Sequence, residues 1–157
     1  AQSWAELYKL PIIIAKPSNL IGPGISNGVC SIFAKKIVDM EKKYTEKVLE
    51  VSNPYAQRDF IDVRDVVYAY ETLFKKGSSG KLYDIASGDS RSLAKVIDTF
   101  KKITNEEFKV VCTANSKKEE NIKISCLNLR QLGWQPLIPF EVSLLDILNF
   151  YRYNKSI

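Results

Sequence analysis

The sequence predicts an α/β fold, because short apolar strands take turns with longer segments of helical periodicity. The clearest strand is PIIIAKP at 11–17, a continuous apolar run bounded by prolines and typical of a strand buried on both faces of a parallel sheet. The clearest helix begins near Phe140, where apolar residues recur every three or four positions. At 157 residues the chain is long enough for one domain whose core needs no metal or disulfide.

The first third of the chain predicts four elements in order. Residues 2–9 are typical of the end of a helix, and the strand at 11–17 follows. SNLIGPGISNG at 18–28 predicts a loop, because it is rich in Gly, Pro, Asn and Ser. A helix then begins, with an apolar stripe formed by Val29, Ile32, Phe33, Ile37 and Met40. Residues 47–51 predict a strand.

The segment AQRDFIDVRDVVYAYETLF at 56–74 predicts a strand that leads directly into a helix. RDFIDV is extended, and Asp62 or Asp65 can cap the helix that follows. The expected core face of this helix is Val66, Val67, Tyr70, Leu73 and Phe74. Gly77 is expected to end it.

The second half of the chain continues the alternation. KLYDIAS at 81–87 and FKVVCTA at 108–114 predict strands, and GDSRS predicts a turn in which Ser90 or Ser92 caps a helix. The expected core face of that helix is Leu93, Val96, Ile97, Phe100 and Ile103. A short helix ends at Gly133. The last helix buries Phe140, Leu144, Ile147, Leu148 and Tyr151.

Composition excludes several classes of function. The chain has no histidine, so no mechanism that needs an imidazole operates within it. Its 23 Lys and Arg are interspersed with 18 Asp and Glu, which is typical of a solvated surface, and we expect no nucleic-acid partner. No apolar run approaches the ~20 residues of a membrane span. Cys30, Cys112 and Cys126 lack metal-site spacing, so we expect buried thiols, no metal site and a cytoplasmic location.

Two segments superficially match the sequence motifs of dinucleotide-dependent enzymes. GPGISNG at 22–28 differs from G-x-G-x-x-G, and Pro23 removes an N–H where a pyrophosphate would need one, so we expect a turn that brings the backbone close to a neighbour or a ligand. Tyr151 and Lys155 have the spacing of a proton-transfer pair, but we expect an ordinary amphipathic C-terminal helix.

Four motifs in register carry a resemblance: PSNLIGPG at 17–24, RDFIDVRDVVYAY at 58–70, YDIASG at 83–88 and LGWQP at 132–136. Together they resemble the extended short-chain dehydrogenase/reductase superfamily, the NAD-dependent nucleotide-sugar epimerases, dehydratases and ketoreductases. The closest resemblance is to GDP-4-keto-6-deoxymannose reductases and GDP-mannose 4,6-dehydratases. It covers nearly the whole chain but only the second half of the superfamily's fold.

This resemblance implies a division of the enzyme. The Gly-rich cofactor loop, the catalytic Ser/Thr and the Tyr-x-x-x-Lys pair belong to the superfamily's N-terminal half, so we expect no catalytic residue in this chain and no activity from the chain alone. We expect 1–157 to be a single substrate-binding lobe, in which 1–17 are the remnant of the Rossmann half and 18–157 form the substrate-binding part. Trp4, Leu7 and Tyr8 are then expected to expose apolar surface beside an unpaired strand edge, which favours a homodimer or self-association.

The resemblance also implies binding residues. Asn19 matches an Asn that hydrogen-bonds the sugar or phosphate, unless it is only a turn residue. Arg58 matches the Arg of R-D-F that contacts the substrate diphosphate, unless it pairs with an aspartate, Asp59 or Asp65. Pro17 and Ser18 lie where the backbone passes the nicotinamide of NAD or NADP. Asp65 is expected to meet the helix dipole, and Arg64 to form a structural ion pair.

This chain differs from the superfamily pattern at two positions, the second of which is expected to bind the substrate phosphates. The resemblance predicts Arg-Pro after the first strand, where this chain has Lys16-Pro17. It also predicts a second phosphate-binding Arg in R-P-x-D/E, where this chain reads KKEE at 117–120. Either Lys117 substitutes as a point charge or the nucleotide site has changed. Lys36, on the helix after the Gly-Pro loop, is a further phosphate candidate or a solvent-exposed lysine.

Three hypotheses follow. The first is the nucleotide-sugar-binding half of an NAD(P)-dependent reductase, epimerase or dehydratase. The second is a non-catalytic nucleotide-sugar-binding module, and the third is a structural or interaction domain whose charges lie only on the surface. Upstream Gly-rich and Tyr-x-x-x-Lys motifs separate the first from the second, and ligand titration separates both from the third.

Overall fold

The computed structural model describes residues 1–104, 106–114, 117, 119–121 and 123–154. Helices and strands alternate through these residues, which confirms the α/β class. The elements are α1 (Gln2–Tyr8), β1 (Ile14–Pro17), β2 (Asn19–Ile21), α2 (Val29–Glu41), β3 (Val48–Val51), β4 (Gln57–Asp62), α3 (Val63–Lys76), β5 (Leu82–Ile85), β6 (Ser90–Ser92), α4 (Leu93–Ile103), β7 (Lys109–Cys112), α5 (Leu127–Arg130) and α6 (Phe140–Tyr153).

The described strands pair in three small sheets. β1 pairs with β5 and β3 pairs with β7, both in parallel. β4 lies between β2, which is parallel to it, and β6, which is antiparallel. The expected loop at 18–28 therefore contains β2, and the expected turn at 88–92 contains β6. Both strands have three residues, too few to show an alternating pattern, and they form because β4 offers them backbone partners.

Two apolar cores lie on opposite sides of β4, because successive residues of a strand point to opposite faces. Phe60 packs into the larger core, which joins the apolar faces of α2, α4 and α6 to β3. Ile61 packs into the smaller core, with α3, β5 and Trp134. The expected core faces of α4 and α6 are confirmed at Val96, Ile97 and Phe100 and at Phe140, Leu144, Ile147, Leu148 and Tyr151.

The expected core face of α3 is only partly right. Val66 and Leu73 are buried, but Val67, Tyr70 and Phe74 are 61%, 45% and 92% exposed. The helix buries a narrow arc, in which Ala69 continues the spacing of Val66 and Leu73, because only one of its sides meets a sheet. A stripe of apolar side chains is left on the other side.

The N-terminal elements expose apolar surface, as the sequence predicts. Trp4, Leu7 and Tyr8 are 60%, 73% and 55% exposed, and the ring centroids of Trp4 and Tyr8 are 4.8 Å apart. Among the described residues, β1 pairs with β5 along one edge only. Self-association through this surface remains a prediction.

The cysteines differ from expectation at one position. Cys30 and Cys126 are buried, and burial raises the pKa of Cys30 to about 12. Cys112 is exposed, because all four residues of its strand, β7, face solvent. None of the helices in the described ranges has the length and apolar character needed to cross a bilayer.

Candidate functional site

The candidate site lies where β1 and β5 end, side by side. Pro17, the last residue of β1, is in register with Ile85, the last residue of β5. The N–H of Ser18 continues the ladder by donating to the carbonyl of Ile85 at 2.9 Å. Ligands of open α/β sheets bind outside the carboxyl ends of parallel strands, which is where Ser18 and Ser87 leave this pair.

The buried carboxylate of Asp59, on β4, ties these two strand ends together. Its Oδ1 accepts hydrogen bonds from the hydroxyl of Ser18 (2.7 Å) and the N–H of Ser87 (2.9 Å). Its Oδ2 accepts from the N–H of Gly88 (2.8 Å) and the hydroxyl of Ser87 (3.0 Å). Hydroxyls and backbone N–H groups therefore hold this carboxylate. No local sequence pattern indicates this role, because the partners lie 28 to 41 residues away along the chain.

Asn19 lies against the same carboxylate-bearing residue. It belongs to β2, in register with Phe60, and its side-chain Nδ2 donates to the carbonyl of Asp59 at 2.9 Å. The alternative that Asn19 is only a turn residue is therefore wrong, because Asn19 lies in a strand. Its expected contact with the sugar or phosphate stays a prediction. Its side chain is exposed but held in one orientation.

Arg58 precedes Asp59 in β4 and points to the opposite face of the strand. The alternative that it pairs with Asp59 or Asp65 is wrong, because its carboxylate partner is Glu119. Its Nη1 donates to the carbonyl of Gln57 at 2.6 Å and to Oε2 of Glu119 at 2.9 Å. The Glu119 carboxylate also accepts from the N–H of Gln57 (3.1 Å). The hydrogen bonds from the Gln57 N–H and the Arg58 guanidinium lower the pKa of Glu119.

A second arginine, which no sequence motif indicated, lies opposite Arg58 on the neighbouring strand. Arg91 is in register with Arg58 in the antiparallel pair of β4 and β6. Its Nη2 is 2.8 Å from Oδ2 of Asp89, and its guanidinium carbon lies 4.5 Å above the ring centroid of Phe140. Arg91, Phe60 and Phe140 line a cavity of about 300 Å³. The only sequence signal was the Arg inside GDSRS, which resembled an ordinary turn.

Arg64 has the structural role that the sequence predicts. Its Nε and Nη2 each donate at 2.8 Å to the buried carboxylate of Asp62, the N-cap of α3, and Nη2 also lies 2.7 Å from Asp146 on α6. Burial alone would raise the pKa of Asp62, but hydrogen bonds from Arg64 and Ser143 outweigh it and lower the pKa.

Asp65 connects α3 to the last segment of the chain. It lies in the first turn of α3, as expected. Its carboxylate accepts the N–H groups of Leu137 and Ile138, both at 3.0 Å, so it also anchors the residues that precede α6.

The other expected phosphate ligands lie apart from this group. Lys36, on α2, is 4.0 Å from the carboxylate of Glu50, and the cavities that it lines include neither Asn19 nor Arg58. Lys117 is exposed, in the segment that carries Glu119. Lys118 lies outside the described residues.

The two segments that superficially match dinucleotide motifs have structural explanations. A Cβ added to Gly22 would lie 2.7 Å from Cγ1 of Val63, which confirms that this loop brings the backbone close to a neighbour. Tyr151 is buried in the larger core. Lys155 lies outside the described residues.

Comparisons with known proteins agree on one family. The model of the NAD dependent epimerase/dehydratase family matches residues 1–86. GDP-6-deoxy-D-mannose reductase from Pseudomonas aeruginosa is 31% identical over 151 residues, covering 93% of this chain and 50% of the reductase. Human dTDP-D-glucose 4,6-dehydratase is 27% identical over 161 residues, covering 98% of this chain and 45% of the dehydratase.

A solved structure shows the same fold. The structure of RMD from Pseudomonas aeruginosa complexed with NADPH superimposes with a TM-score of 0.90 at 29% identity, over 96% of this chain and 52% of that protein. The chain thus spans about half the length of each of these relatives.

Proposed function

The chain belongs to the NAD dependent epimerase/dehydratase family, within the extended short-chain dehydrogenase/reductase superfamily, and we propose that it is the nucleotide-sugar-binding half of a GDP-4-keto-6-deoxymannose reductase-like oxidoreductase. The substrate class is a nucleotide-diphosphate sugar. The reductase from Pseudomonas aeruginosa, with 31% identity over 93% of the chain, favours this reaction over the others in the family. The alternatives are a 4,6-dehydratase, because the human dTDP-D-glucose 4,6-dehydratase matches 98% of the chain, and an epimerase.

One observation carries the proposal: Asn19 and Arg58 are held in place on the two sides of Asp59. The Asn19 amide is bound to the Asp59 carbonyl, and Arg58 is the residue before it in β4. An amide suits a sugar hydroxyl or a phosphate oxygen, and a guanidinium has a fixed fork of donors that matches two phosphate oxygens. A neutral donor bound at Asp59 and a cation one residue earlier in β4 suit a ligand that carries both a sugar and a diphosphate.

The cofactor of the complete enzyme is proposed to be NAD or NADP, passing beside Pro17 and Ser18. Pro17 has no N–H, and the N–H and hydroxyl of Ser18 are already bound to Ile85 and Asp59. This strand end therefore offers a neutral surface with no competing donor, which fits the face of a nicotinamide ring. When bound, the nicotinamide supplies the hydride exchanged with the sugar carbon. The residues of this chain hold the sugar nucleotide in position for it.

The proposed division of labour is that 1–17 belong to the cofactor-binding half and 18–157 bind substrate. The pairing of β1 with β5 means that the two parts share one sheet. We expect the 157-residue chain alone to show no turnover of any nucleotide sugar with NADH or NADPH, since the acid–base pair and the phosphate loop of the superfamily are not among its motifs. Detectable hydride transfer by the pure chain would contradict this division.

Calorimetric titration of the complete gene product with GDP, UDP, CDP and dTDP tests the proposal. GDP is expected to bind with the lowest Kd, and the complete gene product is expected to oxidise NADPH when given GDP-4-keto-6-deoxymannose. Tightest binding of dTDP would favour the dehydratase alternative. Binding without turnover of any nucleotide sugar would favour a non-catalytic binding module. No heat of binding with any of the four would refute the proposal.

A further inference from the structure

Arg58 and Arg91 lie directly opposite each other on the same face of the sheet. Residues in register on antiparallel strands place their Cβ atoms about 4.5–5.5 Å apart, and like charges in such a pair are destabilising. Both arginines lie on the face of the sheet that Phe140 covers. Arg91 covers the Phe140 ring, and Phe60, two residues after Arg58 in β4, stacks on Phe140 with centroids 6.0 Å apart. The fold therefore brings two positive charges together at an energetic cost.

Each of these arginines has a carboxylate partner from a neighbouring loop. Asp89 pairs with Arg91 at 2.8 Å, and Glu119 pairs with Arg58 at 2.9 Å. The two carboxylates are accessible to water, with side chains 67% and 37% exposed. Exposed ion pairs contribute little to stability, so an anion that engages both guanidinium groups can replace these carboxylates as their partner, while Glu119 keeps its hydrogen bonds from the Asn53 side chain and the Gln57 N–H.

The donors of the two guanidinium groups are used differently within the protein. Arg58 makes its two hydrogen bonds through Nη1, and within the described ranges Nε and Nη2 have no protein acceptor. Those two nitrogens form the edge of the guanidinium that pairs with two oxygens of a phosphate. The guanidinium of Arg91 lies over Phe140, where its Nη1 donates to the carbonyl of Asp89 at 3.1 Å and its Nη2 pairs with the Asp89 carboxylate. A phosphate that takes the place of this carboxylate therefore gains the Nη2 donor.

The other carboxylates of the adjoining cavity do not oppose an anion at this place. Asp62 is paired with Arg64, and Asp65 is bound by the N–H groups of Leu137 and Ile138. These two carboxylates thus have their own partners within the protein, while Asp89 and Glu119 are paired with the two arginines.

We propose that Arg58 and Arg91 together form the diphosphate site, an inference that rests on the proposed function. Arg91 supplies from β6 the second guanidinium that the superfamily resemblance expects in the segment at 117–120. Asp89 and Glu119 are the internal counter-ions that the two phosphates replace on binding. Phe60 and Phe140 form the platform that fixes the direction of Arg91.

The test is calorimetric titration of GDP and GMP against the complete gene product and its variants. Arg58→Gln and Arg91→Gln are each expected to weaken GDP binding about 10- to 100-fold, the loss of charged hydrogen bonds to one phosphate. GMP has one phosphate and is expected to lose less with Arg91→Gln. Lys75→Gln, an exposed lysine paired with Glu71 on α3, is the charge-matched control and is expected to leave both affinities unchanged.

Asp89→Asn separates a binding role of Arg91 from a merely structural one. Removing the counter-ion frees Nη2 of Arg91 for the ligand while Nη1 stays bound to the carbonyl of residue 89, so GDP binding is expected to tighten about two- to five-fold. Arg91→Lys keeps the positive charge and the aliphatic part of the side chain but loses the paired donors of the guanidinium. This variant is expected to bind GDP with an affinity between those of wild type and Arg91→Gln. This variant also serves if Arg91→Gln fails to fold.

The outcomes separate the two proposals. If Arg58→Gln weakens GDP binding and neither Arg91 variant does, the two-arginine site is wrong and the proposed function stands. If Arg91→Gln weakens GDP and GMP equally and Asp89→Asn does not tighten GDP, Arg91 is structural and the inference is also wrong. If the wild-type protein binds none of the nucleoside diphosphates, the proposed function itself fails.

Discussion

Replacing Asp59 by Asn tests whether one buried carboxylate holds the strand ends of the site together. The substitution keeps the shape of the side chain but exchanges one acceptor oxygen for an NH₂ group. If the NH₂ replaces Oδ1 it faces the N–H of Ser87, and if it replaces Oδ2 it faces the N–H of Gly88. Hydroxyls can rotate to accept, but a backbone N–H cannot, so either orientation leaves one N–H without its acceptor.

The expected cost follows from that count. A buried unsatisfied donor costs about 1–3 kcal/mol, and hydrogen bonds to a charged acceptor are worth about 1.5–3 kcal/mol each. Asp59→Asn is therefore expected to lower the free energy of unfolding by about 2–4 kcal/mol, a large share of the ~5–15 kcal/mol of a typical domain. Urea unfolding measures it, with the exposed Asp98→Asn on α4 as the control. A loss below about 0.5 kcal/mol, the range of ordinary surface substitutions, would refute the role assigned to Asp59.

The remaining predictions concern stability and association. Arg64→Ala is expected to lower the free energy of unfolding by about 1–3 kcal/mol, because the buried Asp62 carboxylate loses the two hydrogen bonds from the Arg64 guanidinium. An unchanged midpoint of urea unfolding would contradict this. Hydrogen bonds from Arg152 lower the pKa of Glu41, and the pKa of Asp62 is lowered as well. Both carboxylates therefore stabilise the folded state at pH values above the ordinary carboxyl pKa of about 4. This stabilisation is lost as the pH falls through their lowered pKa values in the folded protein. Thermal unfolding from pH 7 to pH 2 checks this, and a curve that Asp62→Asn does not flatten would count against it. Light scattering of the isolated chain at high concentration is expected to show self-association that Leu7→Glu reduces, and a strictly monomeric wild-type chain would argue against the exposed patch.

Local sequence patterns predicted the long elements well. The apolar spacing in α4 and α6 matched the buried faces, and Ser92 caps α4 as expected, accepting from the N–H of Lys95 at 3.1 Å. In α2 the expected stripe is right at Phe33, Ile37 and Met40 but wrong at Ile32, which is 44% exposed. The patterns could not show β2 and β6, because three-residue strands depend on a partner strand elsewhere in the chain. The exposed side of α3 was also missed, because apolar residues on two sides of a helix do not reveal which side meets the sheet.

Residues of the candidate site could be predicted from the sequence only where they lie in motifs of the family. Motifs predicted Asn19 and Arg58 as ligand-binding residues, but no motif indicated Asp59 or Arg91. Both act through long-range geometry: the partners of Asp59 lie on two other strands, and Arg91 meets Arg58 through the register of an antiparallel pair. The sequence likewise did not predict that Glu119, 61 residues further along the chain, pairs with Arg58.

Titration of GDP against Arg58→Ala and Arg64→Ala in the complete gene product tests most directly whether Arg58 binds a nucleotide diphosphate. Arg58→Ala is expected to lose about 1.5–3 kcal/mol of binding free energy, roughly 10- to 150-fold in Kd, because its Nε and Nη2 have no acceptor among the described residues and can donate to the diphosphate. Arg64→Ala is expected to lose less than about 1 kcal/mol, because its donors are bound within the protein to Asp62 and Asp146. Equal losses for the two variants, or no loss for either, would contradict the assignment of the diphosphate site to Arg58.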